Sequence, residues 1–206
     1  MILLLARLHG PDLLSAETGD SGQPVRLFPE EEALVEKSVP KRRREFSLGR
    51  ACARSVLENM GHRDWVIGRS ANGAPLWPPG IVGSITHSGG YAAALLGQSR
   101  HFSGVGIDAE HVGRVTRDLW PRLFDRREQD YLAALNDAAQ AVAATLLFSA
   151  KEACFKAWGG AGPLVFQDIH ILPEKEGFVA DRAGKTLQGR HAQDGDLLVT
   201  ATWARR

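Results

Sequence analysis

Two carboxylates, Asp108 and Glu110, stand two positions apart at the end of the apolar run 104–110. Alternate residues of a strand share one face, so the two acids are predicted to project together while the apolar residues beside them point into a core. Like charges repel each other unless a cation or an arginine lies between them. Oxygen ligands with no imidazole or thiolate nearby suit Mg²⁺. Two solvated acids at an exposed strand end are the alternative, which this segment on its own favours.

A third acid, Glu152, lies four residues before Lys156 in the helical segment 148–158. Glu and Lys at this spacing share a helix face, and such pairs are common on surfaces, where they contribute about 0.3–0.5 kcal/mol. The aromatic residues of the same segment would be unusual on a freely solvated face. A carboxylate here would complete a site with the two acids of the strand.

Basic residues cluster in Lys41–Arg44, and Arg50 follows on the same predicted helix. Arg42 is predicted to project into the apolar face of that helix, with Arg50 at its margin. Arginine at the margin of a core usually holds a carboxylate or a phosphate in a forked contact. Arg69 in a Gly/Pro-rich loop and His87 after a strand are further candidate phosphate donors, although a lone loop histidine is more often structural.

The basic run also suggests a nucleic-acid partner. The sequence contains no recognisable nucleic-acid reader module, and no aromatic residues alternate with the basic ones. The formal net charge of +1, from 25 basic and 24 acidic residues, argues against general nucleic-acid binding. A small phosphorylated ligand is therefore the better interpretation.

The elements that must position these residues follow from apolar periodicity and from Gly and Pro. Helices are predicted over 30–60, with a break before Pro40, over 118–135 and over 139–158; residues 68–80 are predicted to be loop. Strands are predicted over 2–5, 81–85, 91–96, 104–110, 164–172, 177–180 and 196–203. The fold class is α+β, with an N-terminal half (1–103) and a C-terminal half (104–206) that each contain helix and sheet. No sequence repeat relates the two halves.

Composition and length indicate a globular protein. A chain of 206 residues that is 44% hydrophobic and 24% charged is not mostly disordered. No apolar run approaches the roughly 20 residues that span a bilayer, and Arg7 interrupts the short apolar start. Cys52 and Cys154 are too few for a disulfide framework or a zinc site. We therefore expect a cytoplasmic protein with reduced thiols and no membrane partner.

The segments 106–110 and 148–157 together resemble the paired signature of the 4′-phosphopantetheinyl transferases. The stretches 41–50, 72–75 and 83–88 resemble further motifs of the long, monomeric branch, which includes the surfactin-type and enterobactin-type enzymes. The resemblance covers about residues 38–158. The motifs are individually modest but jointly specific, because five of them occur in the same order.

The resemblance implies a monomer of two similar α+β subdomains related by a pseudo-twofold axis, with coenzyme A bound between them. It implies transfer of the phosphopantetheine arm of coenzyme A to a serine of an apo acyl, peptidyl or aryl carrier protein, with release of 3′,5′-ADP. It assigns Asp108, Glu110 and Glu152 as ligands of Mg²⁺ or Mn²⁺. Glu152 is also the implied base, and Lys156 the implied phosphate contact. The implied binding residues for the coenzyme are Arg42, Arg50, Arg69, Asn72, Thr86, His87 and Lys156.

Two other functions stay open on the sequence: a non-catalytic coenzyme A or nucleotide-binding module, and a small nucleic-acid-binding protein that uses Lys41–Arg44. For the transferase, the segment 119–124 is either a contact for a carrier helix or ordinary helix core. Carrier proteins are generally acidic, so Arg114, Arg117 and Arg122 are predicted to steer them toward the cleft.

Overall fold

Two antiparallel sheets, each covered by one long helix, form the protein. The structure is a computed structural model that describes residues 3–160 and 163–206. The N-terminal half contains β1 (Leu13–Gly19), α1 (Pro29–Ala33), α2 (Pro40–Asn59), β2 (Ile81–Ser88) and β3 (Tyr91–Gln98). The C-terminal half contains β4 (Phe102–His111), α3 (Trp120–Leu123), α4 (Arg126–Ala133), α5 (Asp137–Ala157), β5 (His170–Glu174), β6 (Gly177–Arg182), β7 (Lys185–Asp194) and β8 (Leu197–Arg205).

The first sheet has the strand order β1-β3-β2 and the second the order β4-β8-β7-β6-β5. Helix α2 packs on the face of β3 that carries Ala92 and Ala94. The opposite face of β3 packs against β4 and β8, in a core cluster that includes Leu95, Ile107 and Val199. Helix α5 covers the other face of the five-stranded sheet. The layers therefore stack as helix, sheet, sheet, helix, and a shared core joins the two halves.

Helix α5 approaches β4 unusually closely because β4 carries glycine at the contact. A Cβ atom built on Gly104 would lie 1.8 Å from the carbonyl oxygen of Ala157, and one on Gly106 would lie 1.8 Å from that of Ala153. No other residue type fits at such a distance without moving the helix. The glycines thus let α5 rest directly on the strand that carries the first two acids.

A buried glutamate ties the N-terminal half together. The carboxylate of Glu31, on α1, accepts hydrogen bonds from the backbone N–H groups of Phe28 and Ile67 and from the guanidinium of Arg54 on α2. Its two oxygens thereby fix the start of α1 and the loop after α2 to the long helix. We call this arrangement the N-terminal clamp.

The C-terminal half contains the same arrangement. Glu128, on α4, accepts from the backbone N–H groups of Asp125 and Ile171 and from the ammonium group of Lys151 on α5. We call this the C-terminal clamp.

The two clamps lie 97 residues apart, both from Glu31 to Glu128 and from Arg54 to Lys151. At this shift every buried residue of α2 has a buried counterpart in α5. The prediction of two similar α+β halves is therefore confirmed, although their sequences show no repeat.

Three predicted elements are wrong. The strand predicted over 164–172 is one of them, because Phe166–Asp168 form a turn of 3₁₀ helix and strand β5 begins only at His170. Residues Leu5–Arg7 form a turn of 3₁₀ helix where a strand was expected over 2–5, of which Ile2 lies outside the described residues. The carboxylate of Glu17 accepts the N–H groups of residues 4–6, which holds them in a tight turn. The helix predicted over 118–135 is broken, because Phe124 is extended and Asp125 caps a new helix. No helix in the described ranges is long and apolar enough to cross a membrane.

Candidate functional site

A cavity of about 590 Å³ opens where β2 of the first sheet meets β4 and α5 of the second. Every predicted site residue except Arg50 and Arg69 lines it, and those two line a smaller adjoining pocket. A larger concavity of about 1370 Å³ runs along β6, β7 and β8 and is lined by other residues. The residues singled out from the sequence therefore lie at the 590 Å³ cavity between the halves and at the pocket that adjoins it.

The acidic wall of the cavity is centred on Asp108, which is 6% exposed. Its Oδ1 accepts a hydrogen bond from Lys156 Nζ at 2.8 Å and from the Thr86 hydroxyl at 3.3 Å. Lys156 Nζ also donates to the carbonyl of Ile107, at 3.0 Å. Since Thr86 belongs to β2 and Lys156 to α5, this carboxylate joins the two halves at the cavity floor.

Glu110 and Glu152 flank Asp108 and are both half-buried. Burial raises the pKa of Glu110, and the negative charge of Asp108 adds to this effect. Burial also raises the pKa of Glu152; the ammonium of Lys156 opposes this rise and Asp108 reinforces it. The three carboxylates thus share one electrostatic environment in which additional positive charge is favourable.

The residues fit a divalent cation, but they do not form a ready-made site for one. In residues 3–160 and 163–206, no group of three or more His, Cys, Asp or Glu side chains is arranged to hold a metal ion. The predicted convergence of Asp108, Glu110 and Glu152 on one ion therefore requires side-chain movement. Oδ2 of Asp108 is buried and has no hydrogen-bond partner among the described residues. Such an oxygen beside two further carboxylates suits Mg²⁺, which prefers oxygen ligands.

A basic pocket of about 130 Å³ adjoins the cavity. Its lining includes Arg42, Arg50, Arg69 and His87, and no carboxylate lies among the described residues that form it. Three guanidinium groups around so small a volume attract an anion, and their planar forks match a phosphate. The pocket is therefore a candidate phosphate site.

Arg50 shows how the fold holds one of these cations. Its Nε donates to the carbonyl of Ile67 at 3.1 Å, and its guanidinium lies 4.3 Å from the centre of the Phe46 ring. Burial lowers the pKa of Arg50 to about 10, which leaves it charged at neutral pH. Its side chain is thus fixed before any ligand binds.

His87 faces the basic pocket in its neutral form. Arg42 donates a hydrogen bond to Nε2 of His87, so that nitrogen accepts and the ring proton lies on Nδ1, 3.5 Å from a carboxylate oxygen of Glu45. Burial and the positive charge of Arg42 lower the pKa of His87.

Asn72 lines the cavity, but its amide is already engaged with the protein. Nδ2 lies 3.2 Å from the carbonyl oxygens of Gly159 and Gly160, beyond the end of α5. The other basic residues of α2 point elsewhere: Arg43 pairs with Glu32, and Arg44 with Asp20. Only part of the basic run therefore belongs to the pocket.

The segment 119–124 is mainly core. Trp120 and Phe124 are buried and pack edge to face with ring centres 6.3 Å apart. The exposed positions nearby include the basic residues Arg114, Arg117 and Arg122 and the acidic residue Asp118. The surface offered to a partner here is consequently charged rather than apolar.

Sequence reasoning missed three features that shape the site. The close approach of α5 to the β4 glycines could have been predicted, since Gly-x-Gly before the first acid indicates such an approach. The C-terminal clamp could not, because Glu128 and Lys151 are distant in sequence and each looks like a surface residue. The contact between the rings of Phe148 and Phe166, whose centres lie 5.3 Å apart, also had no sequence signal.

Two protein-family models match the chain. Residues 30–97 match the 4′-phosphopantetheinyl transferase N-terminal domain, and residues 104–203 match the 4′-phosphopantetheinyl transferase superfamily. The solved holo-(acyl-carrier-protein) synthase from Bacillus anthracis, in complex with coenzyme A (3′,5′-ADP), is 20% identical, with a TM-score of 0.46. That match covers 51% of this chain and 97% of the synthase.

Curated relatives match over most of their length. The 4′-phosphopantetheinyl transferase Npt of Nocardia iowensis is 38% identical, over 84% of this chain and 78% of Npt. The 4′-phosphopantetheinyl transferase PptT of Mycobacterium tuberculosis is 37% identical, over 92% of this chain and 91% of PptT. Enterobactin synthase component D of Escherichia coli is 34% identical, over 68% of this chain and 66% of that protein. The chain belongs to the 4′-phosphopantetheinyl transferase superfamily and is of the long type.

Proposed function

We propose that this protein transfers the 4′-phosphopantetheine arm of coenzyme A to a serine of an apo carrier protein and releases 3′,5′-ADP. The observation that carries the proposal is the juxtaposition of a basic pocket with three carboxylates and a lysine in one cavity. The basic pocket suits an anionic donor. The carboxylates and Lys156 suit a reaction centre on which charge develops. The family membership and the relatives' names support the same reaction.

In this proposal the two halves contact different parts of coenzyme A. The N-terminal half supplies Arg42, Arg50 and Arg69, with Thr86 and His87, to bind the phosphates and adenine of coenzyme A. The C-terminal half supplies the acids and Lys156 around the pyrophosphate. This division follows the two predicted halves, 1–103 and 104–206, although β4 already begins at Phe102.

Asp108, Glu110 and Glu152 would hold Mg²⁺, or Mn²⁺ in its place. A divalent cation held there would neutralise charge that develops on the phosphoryl oxygens. Lys156, which already lies against Asp108, adds a second positive charge at the same point. The buried, unpartnered oxygen of Asp108 supports this assignment.

Glu152 is the proposed base for the serine hydroxyl, directly or through a water. The serine oxygen forms a bond to the phosphorus beside the pantetheine, and the bond from that phosphorus to the bridging oxygen breaks. The serine proton passes to Glu152, and 3′,5′-ADP leaves. Burial raises the pKa of Glu152, whereas Mg²⁺ bound beside it would lower that pKa and weaken it as a base.

The carrier protein would dock across the mouth of the cavity, with Arg114, Arg117 and Arg122 steering its acidic surface. The proposal includes a cytoplasmic monomer with no nucleic-acid or membrane partner. The two cysteines, both buried and free, are consistent with a reducing compartment.

The decisive experiment is intact mass measurement of a panel of apo carriers incubated with coenzyme A and magnesium. We expect one carrier or more to gain a single phosphopantetheine group, and we expect chelation of the metal to prevent the gain. The Asp108→Ala variant should still bind coenzyme A but transfer nothing. Binding of coenzyme A without modification of any carrier would instead favour a non-catalytic binding module. Steeply salt-dependent binding to duplex DNA without coenzyme A binding would favour a nucleic-acid-binding protein.

A further inference from the structure

The loop that carries Asn72 is a self-contained unit. We call residues 69–75 the Asn72 loop; its ends pair as an isolated bridge between Arg69 and Pro75. Inside it, the N–H of Ser70 donates to the carbonyl of Ala74 and the N–H of Gly73 to that of Ser70, both at 2.9 Å. These internal hydrogen bonds give the loop a defined shape, which its contact with the C-terminal half can then hold in place.

The side chain of Asn72 fastens this loop to the end of α5. Its Nδ2 carries two N–H donors, and the two carbonyl oxygens within reach, those of Gly159 and Gly160, use both. The Ser70 hydroxyl donates to Oδ1 of Asn72 and so orients the amide. Asn72 is thus fully committed to protein partners.

The carbonyl groups that Asn72 binds lie beyond the last turn of α5. At the end of that helix, the N–H of Gly159 donates to the carbonyl of Lys156 and the N–H of Gly160 donates to the carbonyl of Phe155, each at 3.0 Å. Both glycines have positive φ, which is typical of a helix C-terminus. The helix itself offers no partner for the two carbonyl oxygens. A donor from the N-terminal half satisfies them and bridges the halves directly over the cavity.

The position of this bridge matters for any ligand. Asn72, Gly73, Gly159 and Gly160 all line the 590 Å³ cavity, and Gly73 also lines the basic pocket. A ligand with one end among the arginines and the other at Asp108 must pass beside the bridge. Its entry and departure therefore depend on whether the bridge is closed.

We infer that Asn72 is a positioning residue that fastens its loop to the C-terminal end of α5 and slows the exchange of coenzyme A and 3′,5′-ADP. The inference rests on the proposed function for the identity of the ligand. It differs from a direct coenzyme-binding role for Asn72, because the amide donors act on the protein and not on the nucleotide.

The Asn72→Asp and Asn72→Leu variants both remove the two donors and roughly keep the shape of the side chain, and Asn72→Leu does so without a negative charge beside the anionic ligand. We expect the dissociation rate constants of coenzyme A and of 3′,5′-ADP to rise about tenfold, which corresponds to 1.4 kcal/mol. The KM for coenzyme A should rise with them, while kcat stays within about twofold. Stopped-flow displacement followed by tryptophan fluorescence measures the rates, since Trp77 lines the cavity. Ser70→Ala, which frees the Asn72 amide to rotate, should give a smaller rise in the same direction.

Hydrogen exchange on the ligand-free protein separates positioning from direct contact. A bridge predicts that Asn72→Asp speeds amide exchange in residues 69–75 before any ligand is added. Faster dissociation with unchanged exchange would show that Asn72 touches the nucleotide and would overturn the inference, as would unchanged dissociation rates. If the unmodified protein bound no coenzyme A, the proposed function would fail, while the exchange result would still test the bridge.

Asn136→Ala is the matched control, because Asn136 caps the opposite end of the same helix through Ala139 N–H. It should raise the equilibrium constant for unfolding about tenfold, because the helix loses its N-terminal cap. It should leave both the dissociation rates and the exchange of residues 69–75 unchanged. A control that accelerated dissociation equally would reduce Asn72 to a merely structural role.

Discussion

The N-terminal and C-terminal halves share a framework and differ in the charges placed on it. In each, a glutamate on a short helix binds a cation of the following long helix, and the same nine positions of that helix are buried at a shift of 97 residues. The clamps themselves are not identical. Lys151 is fully buried, whereas the side chain of Arg54 is 21% exposed.

At pairs of positions related by the 97-residue shift, a charged residue that lines the site occurs in only one of the two halves. Where the N-terminal half has Arg50, the C-terminal half has Leu147; where the C-terminal half has Glu152, the N-terminal half has Ser55. One half therefore presents cations to the space between them and the other presents acids. The comparison teaches that the framework sets helix orientation, while a few side chains decide which half presents cations and which half presents acids.

The largest expected effect comes from removing Glu152, because the equivalent position of the N-terminal half is Ser55. Glu152→Gln should lower the rate of carrier modification about a thousandfold, because the serine hydroxyl loses its proposed base. Ser55→Ala, at the equivalent position of α2, should leave the rate unchanged. Mass-spectrometric transfer rates measure both. Equal effects of the two substitutions would contradict the division of roles.

Breaking the clamps should reveal their unequal burial. Lys151→Met leaves Glu128 charged and without its cation, and we expect a loss of about 3–5 kcal/mol in the free energy of unfolding. Arg54→Met should cost less, since water reaches that side chain. Urea unfolding measures both losses.

The double variant Lys151→Met/Glu128→Gln is the control for the buried charge. It should recover part of the loss, because the neutral amide no longer needs a cation. Equal losses for Lys151→Met and Arg54→Met would show that burial does not distinguish the clamps.

The contact of α2 with its sheet and the contact of α5 with its sheet should also differ in whether a methyl group on the strand fits beneath the helix. Helix α2 packs on Ala92 and Ala94, whereas α5 packs on glycine, so Gly106→Ala should destabilise the protein by about 1–3 kcal/mol and slow transfer by displacing Lys156. In Gly10→Ala, by contrast, the added Cβ would have no described atom within 4 Å. Denaturant unfolding and transfer rates should show both effects in Gly106→Ala and neither in Gly10→Ala.

The smallest expected effect is a difference in acid sensitivity. Burial raises the pKa of Asp125, but hydrogen bonds from the Glu128 N–H and the His170 ring outweigh it, so the pKa lies below its ordinary value. The carboxylate therefore contributes stability above pH about 3.9, and this contribution is lost as the pH falls through the lower, folded-state pKa.

The N-terminal counterpart of Asp125 is Phe28, which does not titrate. Asp125→Asn keeps a good helix cap but removes the charge, so it should cost about 1 kcal/mol or less at pH 7 and less than that at pH 2. Urea unfolding at both pH values measures this. A constant difference between the variant and the unmodified protein across that range would contradict the assignment.

The sequence predicted the long helices and the sheet strands around the site because their apolar periodicity is strong. It also indicated that Asp108 and Glu110 share a face, and the structure places both on the cavity wall. The strands Leu13–Gly19 and Lys185–Asp194 escaped prediction because few of their residues are buried and both lack a clear apolar alternation. The partner of Lys151 and the bridge made by Asn72 depend on contacts between distant segments, which local patterns do not encode.

The core cluster beneath β4 has a consequence for how the protein becomes active. Leu95 from one half and Ile107 and Val199 from the other bury each other there, so neither half has a finished interior alone. We therefore expect assembly of that interior to bring the basic pocket and the acids together in one step. A chain that had folded only one half would present cations without acids, or acids without cations, and would remain inert.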